Sequence, residues 1–150
     1  MKKLAVMIAA SLSLPFVSLA KEPPKNAVLG KPFVVKAILS RAGYTSYDRT
    51  IVISERAKTC PELMDGKYDE GERLVTFTVD WKRGAKADAK KAELTFKQVG
   101  PTKMAETPAD TAAVEIVEAP DNRKAPGKVK LTAAGKDSTL QLEGAITQCE

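Results

Sequence analysis

Between Glu72 and Lys82 the chain reads Glu-Arg-Leu-Val-Thr-Phe-Thr-Val-Asp-Trp-Lys, and no other stretch constrains the fold as tightly. Val75, Phe77, Val79 and Trp81 alternate with Leu74, Thr76, Thr78 and Asp80. Strand side chains point to opposite faces with a period of two. The pattern therefore predicts one large apolar face and one that is mostly hydroxylated or charged. Read at helical period, the same apolar residues scatter around the cylinder. This is a half-buried strand carrying the single tryptophan of the chain, with Phe77 and Trp81 expected in the core.

Shorter stretches repeat the pattern. Pro32 to Ser40 predicts a strand with Phe33, Val35, Ala37 and Leu39 on one face, and Thr50 to Ser54 one with Ile51 and Ile53 on one face. Glu93 to Val99 is the natural hairpin partner of the organising strand, and Ala112 to Glu118 places Val114 and Ile116 together. Lys128 to Ala133 and Thr139 to Gln148 form a further hairpin, turning through Gly135-Lys136-Asp137. In the last strand Leu140, Leu142 and Ile146 share a face with Gly144, whereas Cys149 has the opposite parity. An unbroken strand turns Cys149 away from the core, and a bulge at Gly144 resets it; the sequence allows both. Arg41–Arg49, Glu55–Gly71, Gly100–Asp110 and Ala119–Gly127 read as loops, and no helix is expected beyond the first 20 residues.

Strands this short and evenly spaced predict an all-β fold. The expected form is an antiparallel β-sandwich of about seven or eight strands, immunoglobulin-like in architecture, with a small closed β-barrel as the alternative.

The first 20 residues stand apart. Met1-Lys2-Lys3 is a basic head, Leu4 to Leu14 is almost wholly apolar or small, and Ser18-Leu19-Ala20 offers small residues for cleavage. That is a bacterial secretory leader, cut after Ala20; the run is broken by Pro15 and is shorter than the roughly 20 residues a membrane span needs. Lys21 follows the cut, so the cysteine of a lipoprotein site is absent. The expected organisation is a leader at 1–20, an extended tether at 21–27 containing Pro23-Pro24, and one β domain at 28–150. The mature chain is then soluble, periplasmic or extracellular, with no transmembrane segment. Lys2 and Lys3 leave with the leader. Of 24 basic residues 22 remain against 19 acidic ones, a net +3 that does not by itself imply nucleic acid. The two cysteines, Cys60 and Cys149, are expected to pair, as an even count does in an oxidising compartment.

The strongest functional evidence is what the chain lacks. With no histidine, Ser-His-Asp and Cys-His nucleophile systems and the commonest metal ligand are gone. Paired cysteines leave no thiolate, and no phosphate-binding glycine loop is present. Neither a cofactor nor a metal is expected. Asp65, Asp69, Glu70 and Glu72 cluster in a glycine-bearing loop without calcium-loop spacing, and read as a solvated acidic turn. Lys82, Arg83, Lys86, Lys90 and Lys91 crowd one connector, a candidate contact for an anionic surface, though such charges also blunt edge pairing. Tyr44 and Tyr47 form a candidate loop contact.

The expected function is thus a non-enzymatic binding or accessory module of the bacterial cell envelope, its partner an envelope protein or an anionic polymer. The alternatives are a secreted inhibitor working through the loop around Cys60 and a carboxylate-dependent enzyme.

Overall fold

The computed structural model describes residues 26–42, 48–80, 93–119 and 122–149. The strands are β1 (Ala27–Val28), β2 (Lys31–Pro32), β3 (Ala37–Ala42), β4 (Asp48–Ser54), β5 (Arg73–Asp80), β6 (Thr95–Val99), β7 (Met104–Pro108), β8 (Thr111–Ala119), β9 (Asn122–Gly135), β10 (Ser138–Ala145) and β11 (Thr147–Cys149), with one helix, α1 (Cys60–Met64). They form a β-sandwich of two packed sheets, ordered β2-β1-β10-β9-β8 and β11-β3-β4-β5-β6-β7. All pairings are antiparallel except that of β11 with β3.

The alternation of β5 fixes the six-stranded sheet. Val75, Phe77 and Val79 are buried in the intersheet core, with Val75 between Ile53 and Phe96 and Phe77 beside Ile51 in the strand register. Val114 and Ile116 of β8, Val129, Leu131 and Ala133 of β9, and Leu140 of β10 close the core from the other sheet. Trp81 lies outside the described residues.

The expected first strand divides. Phe33 packs in the main core, but residues 33–36 carry the chain from one sheet to the other, so β3 begins only at Ala37. Ala37 and Leu39 consequently face away from the intersheet core, opposite to Phe33. The expected last strand divides too. At Ile146 the chain leaves β10 for β11, in the other sheet, while Ile146 stays in the main core. Cys149 keeps its opposite parity and points to the outer face, and Gly144 serves a different purpose. A Cβ there would stand 2.6 Å from Ile38 Cδ1, so the missing side chain admits Ile38 between the sheets.

Other differences come from long-range pairing. Met104–Pro108, in an expected loop, is held as a strand by β6. Asn122–Pro126, also expected as loop, continues β9 alongside β8 across a register shift near Glu118.

Arg73 clamps the two sheets at one end. Nη1 donates to the carbonyls of Val28 (3.0 Å) and Lys31 (2.9 Å), and Nη2 to that of Pro32 (2.8 Å). Nε donates to Glu55 Oε1 at 3.1 Å, and Nη2 also meets Glu55 Oε2, so one planar fork joins β5 to the β1–β2 turn.

Candidate functional site

The outer face of the six-stranded sheet is half covered. Glu55 to Glu72 folds over it, and at its centre is α1, the helix that the sequence reading did not expect. Thr59 and Glu62 form a capping box: Thr59 Oγ1 accepts from the Glu62 N–H, and Glu62 Oε2 accepts from the Thr59 N–H at 2.8 Å. The Thr59 hydroxyl also donates to Glu62 Oε2, at 2.7 Å, and this bond first, then that of the Thr59 N–H, lowers the pKa of Glu62. Gly66, at φ 66°, ends the helix: the Gly66 N–H reaches Leu63 O and the Lys67 N–H reaches Glu62 O at 2.9 Å. Both ends of a five-residue helix are thus satisfied locally.

Leu63, wholly buried, makes a second small core with Leu39, Val52, Leu74 and Cys149. The Cys60–Cys149 disulfide bonds α1 to β11 across 89 residues. Beneath the same loop, Glu72 is fully buried and faces Lys58 Nζ at 3.2 Å. Ser54 Oγ donates to Glu72 Oε1 at 2.8 Å, and the Asp69 N–H donates to Glu72 Oε2 at 3.0 Å. Lys58 also donates to Lys67 O and lies 4.7 Å from the centre of the Tyr68 ring.

The acidic residues of the loop therefore diverge. Glu72 turns inward to Lys58, Asp65 pairs with Lys67 at 2.8 Å, and Asp69 with Arg56 at 3.7 Å. Among the described residues no group of three acidic or thiol side chains is placed to hold a metal ion.

Beyond Tyr68 the outer face is open, and here lies a shallow groove of about 440 Å³. Its floor carries Thr50 of β4, Thr76 and Thr78 of β5 and Thr95 of β6. The strand register sets Thr50 beside Thr78 and Thr76 beside Thr95, and the first two hydroxyls are 3.5 Å apart. Arg41, Tyr68, Lys97, Glu93 and Met104 form the rim. Lys97 is half-buried and pairs with Glu106 at 2.7 Å. Burial raises the pKa of the Tyr68 phenol; the Arg41 charge opposes this and Glu72 reinforces it. The phenol is neutral at ordinary pH and can both donate and accept. Such a surface offers a ladder of hydroxyls, one phenol and cations at its edge, a chemistry of polar recognition.

A second groove, about 450 Å³, opens along the seam where the chain crosses between sheets. Val35, Ile38 and Leu142 line it together with Lys36, Lys58, Glu143 and Thr147.

Sequence reading found the outward threonines of β5 but not their neighbours, which pairing supplies. Its candidate contacts Lys82, Arg83, Lys86, Lys90, Lys91, Tyr44 and Tyr47 lie outside the described residues. Among the described residues no helix is long and apolar enough to cross a membrane. Comparison with protein-family models, with curated proteins and with solved structures finds no match.

Proposed function

We propose that this chain is an exported, non-enzymatic binding module of the bacterial cell envelope, periplasmic or extracellular, and that it holds an anionic, hydroxyl-rich envelope polymer in the threonine-floored groove. The groove carries the reading. Four hydroxyls on three adjacent strands suit a ligand that both donates and accepts along its length, and Arg41 and Lys97 suit one that bears carboxylates or phosphates. Export rests on the leader at 1–20, with Lys21 rather than cysteine after the cut, and the Cys60–Cys149 bond is compatible with it.

The groove's chemistry favours binding over catalysis. Its described lining holds one carboxylate, Glu93, whereas glycoside hydrolysis in most enzymes uses a pair. An inhibitor reading of the Cys60 loop has less support. Lys58 and Leu63, which would have to enter another protein's cleft, are buried, and Cys60–Met64 is a capped helix rather than an extended segment.

The test is co-sedimentation of the chain from Lys21 with purified peptidoglycan sacculi. Thr76→Val/Thr78→Val keeps strand propensity and shape but removes two hydroxyls. At about 0.5–1.5 kcal/mol for each lost hydrogen bond, binding should weaken roughly tenfold with the melting temperature unchanged. Arg41→Ala should weaken it further. Binding to sacculi unaffected by all three substitutions, or release of soluble fragments from them, would overturn the reading.

A further inference from the structure

The four terminal strands of the two sheets are not alike. β2 is two residues long and contains Pro32, which has no N–H to offer. β11 is three residues long and fastened through Cys149, and β7 is five long and ends at Pro108. β8 is nine residues long and has no proline, and among the described residues β9 is its one hydrogen-bonded neighbour. Its regular part runs from Thr111 to Val117, before the register shifts at Glu118. Thr111, Ala112, Ala113, Glu115 and Val117 are exposed there, Val117 to 53%. A long edge of small and β-branched residues, open among the described residues, is a template for another strand.

The pattern of side chains says which strand fits. With two copies of β8 antiparallel about a Val114–Val114 pair, Ala112 meets the other copy's Ile116, Ala113 meets Glu115 and Thr111 meets Val117. No like charges stand opposite, and each Glu115 already has Lys130 of β9 beside it in register. A shift by one residue would set Val114 against Glu115 and place core-facing and solvent-facing side chains on the same face. We infer that β8 is the pairing edge for a second copy of this chain, giving a two-fold dimer with one continuous ten-stranded sheet. A single-strand contact of this length is small, so the dimer is a weak, concentration-dependent one. It leaves the outer face of the six-stranded sheet, where the groove lies, uncovered in both copies.

Sedimentation velocity of the chain from Lys21, run from about 10 μM to about 1 mM, should show a monomer–dimer equilibrium. Ala113→Glu introduces two symmetric Glu–Glu oppositions at an exposed position. It should weaken the dimer between about twofold and thirtyfold. Ala113→Lys instead sets a lysine against each Glu115 of the other copy and should tighten association by a similar factor. Amide exchange read on the unmodified chain provides a measurement free of any folding defect: Thr111–Val117 should exchange more slowly at high concentration. A monomer across the whole range, a dimer indifferent to Ala113→Glu, no tightening in Ala113→Lys, or exchange at Thr111–Val117 independent of concentration would each overturn the inference.

Discussion

Replacing Lys58 by Met should be among the costliest single changes in this chain, although Lys58 is a charged residue in an irregular loop. The side chain of Lys58 is only 6% exposed and that of Glu72 is 0% exposed, with 3.2 Å between them. Lys58→Met keeps the length of the stem but strands the carboxylate, which among the described residues retains the Ser54 hydroxyl and the Asp69 N–H as donors. Breaking a buried ion pair from one side costs about 3–5 kcal/mol, because the remaining charge is buried without its partner. Glu72→Gln should cost less, about 1–3 kcal/mol, since Lys58 keeps Lys67 O and the Tyr68 ring. With both charges removed, the cost of Lys58→Met should largely disappear. The double variant should then be more stable than Lys58→Met alone, with an interaction energy of about 3–5 kcal/mol, close to the whole cost that Lys58→Met no longer carries. Urea unfolding of the four proteins at one pH and salt concentration, with the disulfide intact, measures the cycle. A Lys58→Met cost below about 1 kcal/mol, or a double variant at the sum of the singles, would refute the coupling.

Two further predictions bear on the same layer. Cys149→Ser should lower stability by about 2–5 kcal/mol in denaturant titration, the usual cost of losing a native disulfide in a small domain, and two thiols labelled without reductant in the unmodified chain would refute the bond. Burial raises the Tyr68 pKa above its ordinary 10.0, so the folded chain holds that proton more tightly than the unfolded chain does. The resulting stabilisation is full below the ordinary value and lost as pH rises through the folded one. Tyr68→Phe should therefore flatten the alkaline fall in stability, and equal pH slopes for the two proteins would refute the assignment.

The strands that could be read directly are those whose burial is one-sided. Val75, Phe77 and Val79, like Val129, Leu131 and Ala133, alternate because one face meets the other sheet and the other does not. Pro32–Ser40 and Thr139–Gln148 looked continuous because each retains apolar residues while the chain passes between sheets. Nothing local marks residues 33–36 or Ile146 as the crossing. The helix was missed for the opposite reason. Pro61 and Asp65-Gly66 read as breakers, yet proline belongs in a first helical turn and glycine beyond the last, and Thr59-Cys60-Pro61-Glu62 is a capping box in plain sequence. Arg73 carried a usable signal as well: it has the parity of Val75 and Phe77, and a charge on the core-facing row implies dedicated partners. The groove was half legible. Thr76 and Thr78 point outward by parity, but Thr50, Thr95 and Arg41 join them only through strand register.

The crossing at Ile146 also governs the order in which this molecule can form. β10 lies at the centre of one sheet, with β1 on its far side, and β11 ends the other against β3. Neither sheet is complete until residues 138–149 have joined partners that precede them by about a hundred positions, Ala27 with Thr139 and Leu39 with Thr147. Such high contact order makes folding slow, because distant segments must be brought together before their contacts repay the lost chain entropy. Although β3 to β7 pair in chain order, β1 and β2 wait for β10 and the outer edge of β3 waits for β11, so a chain stalled before residue 138 presents open strand edges to its neighbours. Closure of both sheets is thus deferred to residues 138–149 and should proceed as one late, concerted event.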